Sequence, residues 1–143
     1  MTDFPERARR VSAIASEYAD TGDKQGFLAE PVVEALTRES LYGIWVPRVL
    51  RGAELTPVES LQVIENLAHG DPSTGWVLMA AALAIGTGAA YLGDEAVREL
   101  FGGDRFPVIA GQGTRPGTAT PVDGGYRLSG SWSFASGIKH GTH

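Results

Sequence analysis

Cysteine is absent from the 143-residue sequence, which excludes a disulfide scaffold and any thiolate chemistry. This composition fits a reducing compartment, so we expect a cytoplasmic protein. The sequence also lacks a basic run and has a formal net charge of −5, so we expect no nucleic-acid partner. Residues 1–6 do not show the charged-then-apolar layout of a signal peptide. With 43% hydrophobic residues, the chain is long enough for one domain with a core.

Charge is also absent from Pro72 to Gly93, a stretch long enough to raise the question of a membrane span. Alanine and glycine dominate it, and its flanking residues are acids, Asp71 and Asp94, with no lysine or arginine anchor. We therefore predict no membrane partner. The expected structure is the central and most buried helix of a soluble protein, capped by Asp71 and running to about Leu92.

Other helices are predicted on both sides of this one. Apolar spacing indicates a first helix from Phe4 to near Gly22 and a second from Pro31 to about Leu41, followed by an extended segment at residues 44–47. Thr56-Pro57-Val58-Glu59 is a capping box and the clearest helix start. Asp94 should cap a short last helix that ends at Gly102. The buried face of the capping-box helix is predicted to consist of Val58, Leu61, Ile64, Leu67 and Ala68.

From Phe106 onward the pattern indicates strands. Phe106–Ala110 is a strand candidate, and the turn signal Asp123-Gly124-Gly125 pairs Thr118–Val122 with the strand that follows. Helices followed by strands predict the α+β class, with an N-terminal helical domain at residues 1–103 and the start of a β domain at 104–143. Three strands are too few to cover an aromatic face, so we expect the N-terminal part of a longer protein.

The most informative strand is predicted from Tyr126 to Gly137. Alternation would place a hydroxyl, that of Ser136, at the end of an aromatic row on one face of this strand. Core packing and a binding site are both open interpretations of such a row. The row consists of Tyr126, Leu128, Trp132 and Phe134.

Several other candidate sites are weak. The glycines of residues 111–117 do not have the dinucleotide-binding spacing and precede a hairpin instead of a helix, although the loop amides could approach a phosphate. His140 and His143 lack a third ligand, so no metal site is predicted. No serine, histidine and acid form a hydrolase pattern.

Two signatures are Asp71-Pro72-Ser73-Thr74-Gly75-Trp76 and Gly130-Ser131-Trp132-Ser133-Phe134-Ala135-Ser136-Gly137, with His140 following. Together with the order of elements they resemble the acyl-CoA dehydrogenase superfamily. Within it, they resemble the branch of two-component flavin-dependent monooxygenases that includes the 4-hydroxyphenylacetate and steroid-phenol hydroxylases. In acyl-CoA dehydrogenases the second signature usually has a lysine, then Trp-Ile-Thr or Trp-Ile-Ser. Here Trp132, Phe134 and Ser136 take the lysine, tryptophan and threonine places, which favours the hydroxylase branch.

The resemblance implies a flavin, FAD or FMN, that a separate flavin reductase supplies in reduced form, a small aromatic or polycyclic substrate, and a homo-oligomer such as a homotetramer. It implies that Ser136 is catalytic and bonds the flavin near N5, that Phe134 lines one face of the isoalloxazine, and that Trp76 borders the pocket. Hydroxylases often carry a histidine after the Trp76 position, and Met79–Ala84 contains none, which disfavours a phenolic substrate. Acyl-CoA dehydrogenation and a non-catalytic fragment are the alternatives.

Overall fold

The computed structural model describes residues 4–143, and over this range helices precede a single β-hairpin. This order confirms the α+β class. Short 3₁₀ turns lie at Leu41–Gly43, Arg48–Leu50 and Ile138–His140. The longer elements are α1 (Phe4–Gln25), α2 (Glu30–Arg38), α3 (Pro57–Gly70), α4 (Pro72–Tyr91), α5 (Asp94–Phe101), β1 (Thr118–Val122) and β2 (Gly125–Ser129).

The core lies where α1, α3 and α4 meet the segment that follows α2. Gly70, the last residue of α3, allows close approach to α1, because a Cβ there would clash with the backbone oxygen of Ser12. Each helix turns one face to this core and leaves the other exposed. The largest fully buried aliphatic side chains are Leu36, Leu41, Ile44, Leu67, Leu78 and Ile85.

Residues 44–47, predicted as extended, form a turn instead. The buried side chains of Ile44 and Val46 enter the core, and the turn is closed by backbone bonds such as that from Leu55 N to Ile44 O, 2.8 Å. Between them, Trp45 donates its indole N–H to Ser60 Oγ at 2.6 Å.

This tryptophan explains why the predicted face of α3 is partly wrong. The helix begins with the expected capping box, but its buried residues are Ser60, Val63 and Leu67. Val58 and Leu61 are 66% and 64% exposed. Because α3 is apolar on two faces, spacing could not choose between them, whereas the bond from Trp45 turns the Ser60 face inward.

Helix α4 starts where predicted but is not buried all round. The Asp71 carboxylate caps it by accepting from Ser73 N at 3.2 Å and Thr74 N at 2.8 Å. Its neighbours cover one face, so Leu83 and Tyr91 on the other face are exposed. By length and composition α4 is the one helix among residues 4–143 that could cross a membrane, and it also packs on α3. Asp94 is the first residue of α5, and no side chain caps that helix, contrary to the prediction.

The hairpin is confirmed, but the long aromatic strand is wrong. Val122 pairs with Gly125 across a two-residue turn in which Gly124 has φ of +77°, a left-handed conformation that favours glycine. Strand β2 ends at Ser129, and no third strand is present in the described part of the chain, where Phe106–Ala110 is irregular. The Trp132 ring folds back over Gly130, so alternation stops there.

The α4 cap yields a stability prediction. Asp71→Ala removes the acceptor of two helix N–H groups and should lower the free energy of unfolding by about 1–2 kcal/mol. Asp71→Asn keeps an acceptor and should retain most of that stability. Urea denaturation measures both variants, and an Asp71→Ala protein as stable as the parent would contradict the assigned cap.

A second prediction concerns Tyr42, which is 2% exposed and whose hydroxyl has no hydrogen-bond partner among residues 4–143. Burial raises the pKa of this phenol well above its usual value. Tyr42→Phe should therefore be neutral or stabilising by about 1 kcal/mol at neutral pH.

The parent should also lose stability relative to Tyr42→Phe as pH rises above about 10, because the unfolded tyrosine ionises first. Tyr91→Phe, at an exposed position, is the matched control and should change nothing. Loss of more than about 1 kcal/mol in Tyr42→Phe would show that the hydroxyl has a partner.

Candidate functional site

The structure brings together two of the three predicted site residues. Trp76 lies near the start of α4, just beyond the Asp71 cap, and its indole Nε1 donates to Ser136 Oγ at 3.0 Å. Next to this bond, Gly137 approaches Val77, and a Cβ at Gly137 would lie 3.2 Å from Val77 Cγ1. The start of α4 therefore meets the turn that follows the hairpin.

The third predicted residue does not pack into this contact. Phe134 is 86% exposed, and its φ of +61° places it in the left-handed region that non-glycine residues seldom adopt. Its proposed place against a flavin face stays a prediction.

A cavity of about 390 Å³ is lined in part by Ala135, the residue that precedes Ser136. The indole of Trp132 forms part of its wall, and the small residues Ala110 and Gly111 form another part. The described residues that line it carry no charge, so it suits a flat, largely apolar ring. The complete lining is Ala110, Gly111, Gln112, Trp132, Ala135 and Ile138.

Gln112 is a site residue that sequence reasoning missed. Its Oε1 accepts from Thr114 N at 2.8 Å and Arg115 N at 3.0 Å, and its Nε2 donates to Arg115 O at 2.6 Å. The backbone N–H groups of Thr114 and Arg115, which the sequence left open as phosphate ligands, are thus bonded to this side chain. The loop instead forms a fixed edge of the cavity.

His140 also has a partner that spacing did not reveal. Its Nε2 accepts the backbone N–H of Leu28 at 3.1 Å, and its ring lies 6.0 Å from that of Phe27. Burial lowers the pKa of this imidazole below its usual value. No group of three potential metal-binding side chains occurs within residues 4–143.

Most of the chain is similar to known proteins. Residues 4–102 match the family described as acyl-CoA dehydrogenase, N-terminal domain. Indole-3-acetate monooxygenase of Acinetobacter baumannii is 32% identical over 90% of this chain and 31% of its own length. The Pseudomonas putida enzyme of that name is 30% identical over 80% of this chain and 29% of its own length.

The flavin-dependent monooxygenase oxygenase subunit HsaA of Mycobacterium tuberculosis is 29% identical, over 79% of this chain and 28% of that protein. The chain thus spans about a third of the length of the relatives it matches. The family match covers well over half of this chain and all of α1 to α5. The chain therefore belongs to the acyl-CoA dehydrogenase N-terminal domain family.

Proposed function

We propose that this protein works as a flavin-dependent monooxygenase that hydroxylates an aromatic or polycyclic small molecule with reduced flavin and O₂. The observation that carries the proposal is the bond from Trp76 Nε1 to Ser136 Oγ, because it joins the two signatures of the flavin-dependent branch. The relatives support it, since they are named as monooxygenases and one is named as an oxygenase subunit. The latter name supports a separate flavin reductase as the partner.

The residues present fit a flavin, either FAD or FMN. A bound flavin would supply the electrons that reduce O₂ while one oxygen atom enters the substrate. Ser136 Oγ accepts from Trp76 and keeps its own O–H to donate to an acceptor near flavin N5. Trp132 and the uncharged cavity wall would exclude water, which limits the loss of reducing equivalents as hydrogen peroxide.

The function can be tested on the full gene product. The protein is mixed with NADH, a flavin reductase and free flavin, and indole-3-acetate serves as the first aromatic probe. We expect O₂ consumption and a product that has gained one oxygen atom from O₂, shown by isotope labelling. A protein whose bound flavin is reduced by an acyl-CoA without O₂, and which hydroxylates no aromatic probe, would instead be an acyl-CoA dehydrogenase.

The 143-residue chain alone should bind flavin weakly. Trp76 is 60% exposed and every hairpin residue is exposed, so only one wall of a flavin pocket is formed. Typical cofactor pockets bury roughly 70–90% of a ligand of this size. Titration of flavin fluorescence should not saturate at micromolar protein, and a purified yellow chain with stoichiometric flavin would contradict this expectation.

Ser136→Ala in the full gene product should uncouple O₂ consumption from hydroxylation. Losing one hydrogen bond of about 1 kcal/mol, or up to about 3 kcal/mol if charge-assisted, should raise the ratio of hydrogen peroxide to product about fivefold or more. Ser133→Ala, at an exposed position, is the matched control. If the ratio in Ser136→Ala equals that in Ser133→Ala, the assignment of Ser136 to the site is wrong.

A further inference from the structure

The segment that carries Ser136 follows the hairpin, and it contacts the helical part of the molecule through its own residues, not through the hairpin strands. Both hairpin strands are exposed along their whole length. After the hairpin, polar contacts return the chain to the body at three places: Ser136 bonds Trp76, His140 bonds Leu28, and residues 142–143 bond residues 108–110. The position of the Ser136 hydroxyl therefore depends on these contacts.

The contact at Leu28 requires one protonation state of His140. The Leu28 N–H donates to Nε2, so this nitrogen must carry its lone pair, and an imidazolium could not accept the bond. Leu28 and Ala29 are buried, so this N–H would lose its partner in a place poorly reached by water. The tilted Phe27 ring adds an apolar contact on the same side.

Backbone hydrogen bonds fold the short segment that contains both His140 and Ser136. Ile138 N donates to Ala135 O at 3.1 Å, and His140 N donates to Gly137 O at 2.8 Å. Residues 135–140 are thus closed into two consecutive turns. A displacement of His140 from Leu28 therefore moves Ser136 as well.

We infer that His140 is a positioning residue whose neutral imidazole, by accepting the Leu28 N–H, holds the Ser136 hydroxyl against the Trp76 indole. This positioning role follows from the two hydrogen bonds alone. A role in catalysis rests on the proposed function, in which Ser136 faces the flavin. His140 itself is assigned no contact with the reacting atoms.

Three variants separate this role from general stability. Glutamine places an amide oxygen or nitrogen close to the position of histidine Nε2, so His140→Gln can keep an acceptor for Leu28 without titrating. His140→Ala removes the acceptor. His69→Gln makes the same change at an exposed histidine on α3 and serves as the control.

The measurement is the ¹⁵N–¹H spectrum of the chain, in which the three tryptophans give three indole resonances. Trp76→Phe identifies the Trp76 resonance. His140→Ala should shift that resonance, leave that of Trp45 in place, and speed hydrogen exchange at the Leu28 amide about five- to tenfold. His140→Gln should match the parent in all three readouts.

A pH titration gives a second test that does not require His140→Ala to fold. Other titratable groups on the surrounding elements are Asp23 and Lys24 on α1, Glu30 on α2 and Asp71 before α4. On the segment of His140 itself they are Lys139 and His143. Burial lowers the pKa of His140 in the folded chain, so the unfolded chain binds a proton at this residue first as the pH falls below about 6.5. The hydrogen bond from Leu28 to His140 is therefore lost progressively as the pH falls further.

Between about pH 8 and about pH 5, the Trp76 resonance should therefore move in the parent and in His69→Gln, but not in His140→Gln. The inference is overturned if His140→Gln titrates like the parent, or if a folded His140→Ala leaves the Trp76 resonance unchanged. These readouts contain no flavin and no substrate, so their failure is distinguishable from failure of the proposed function.

Discussion

The hydrogen bond from Trp76 to Ser136 connects the part of the molecule that has a core with the part that has none. The helices bury their aliphatic side chains among themselves, whereas the hairpin is exposed throughout. A site that uses residues from both parts needs a fixed link between them. The tryptophan is suited to this link because it presents a large apolar ring together with one N–H donor.

Each end of this link is held by its own local structure. On the helical side, the Asp71 carboxylate fixes the first turn of α4, and Gly70 lets α3 end close against α1. On the other side, the consecutive turns of residues 135–140 hold Ser136 at a set distance from His140. Within this frame a cavity remains beside Trp132 whose lining is uncharged.

Most features governed by neighbouring residues could be predicted from the sequence, the cap at Asp94 being an exception, and features governed by distant partners could not. The capping box at Thr56, the Asp71 cap and the turn at Gly124 are local and were predicted correctly. The buried face of α3 depends on Trp45, and the end of β2 depends on the Trp132 ring over Gly130, so spacing failed at both. The family signatures indicated one pocket for Trp76 and Ser136 but did not predict the hydrogen bond between them. Nothing in the pattern pointed to Leu28 as the partner of His140, because its donor is a backbone amide 112 residues away.

The most direct test of the account is a double-mutant cycle between Trp76 and Ser136, followed by urea denaturation. Trp76→Phe removes the donor, Ser136→Ala removes the acceptor, and the double variant removes both. If the bond connects the two parts, the stability losses should be non-additive by about 0.5–1.5 kcal/mol. Losses that add within about 0.3 kcal/mol would show that the two side chains do not interact in solution and would contradict the account.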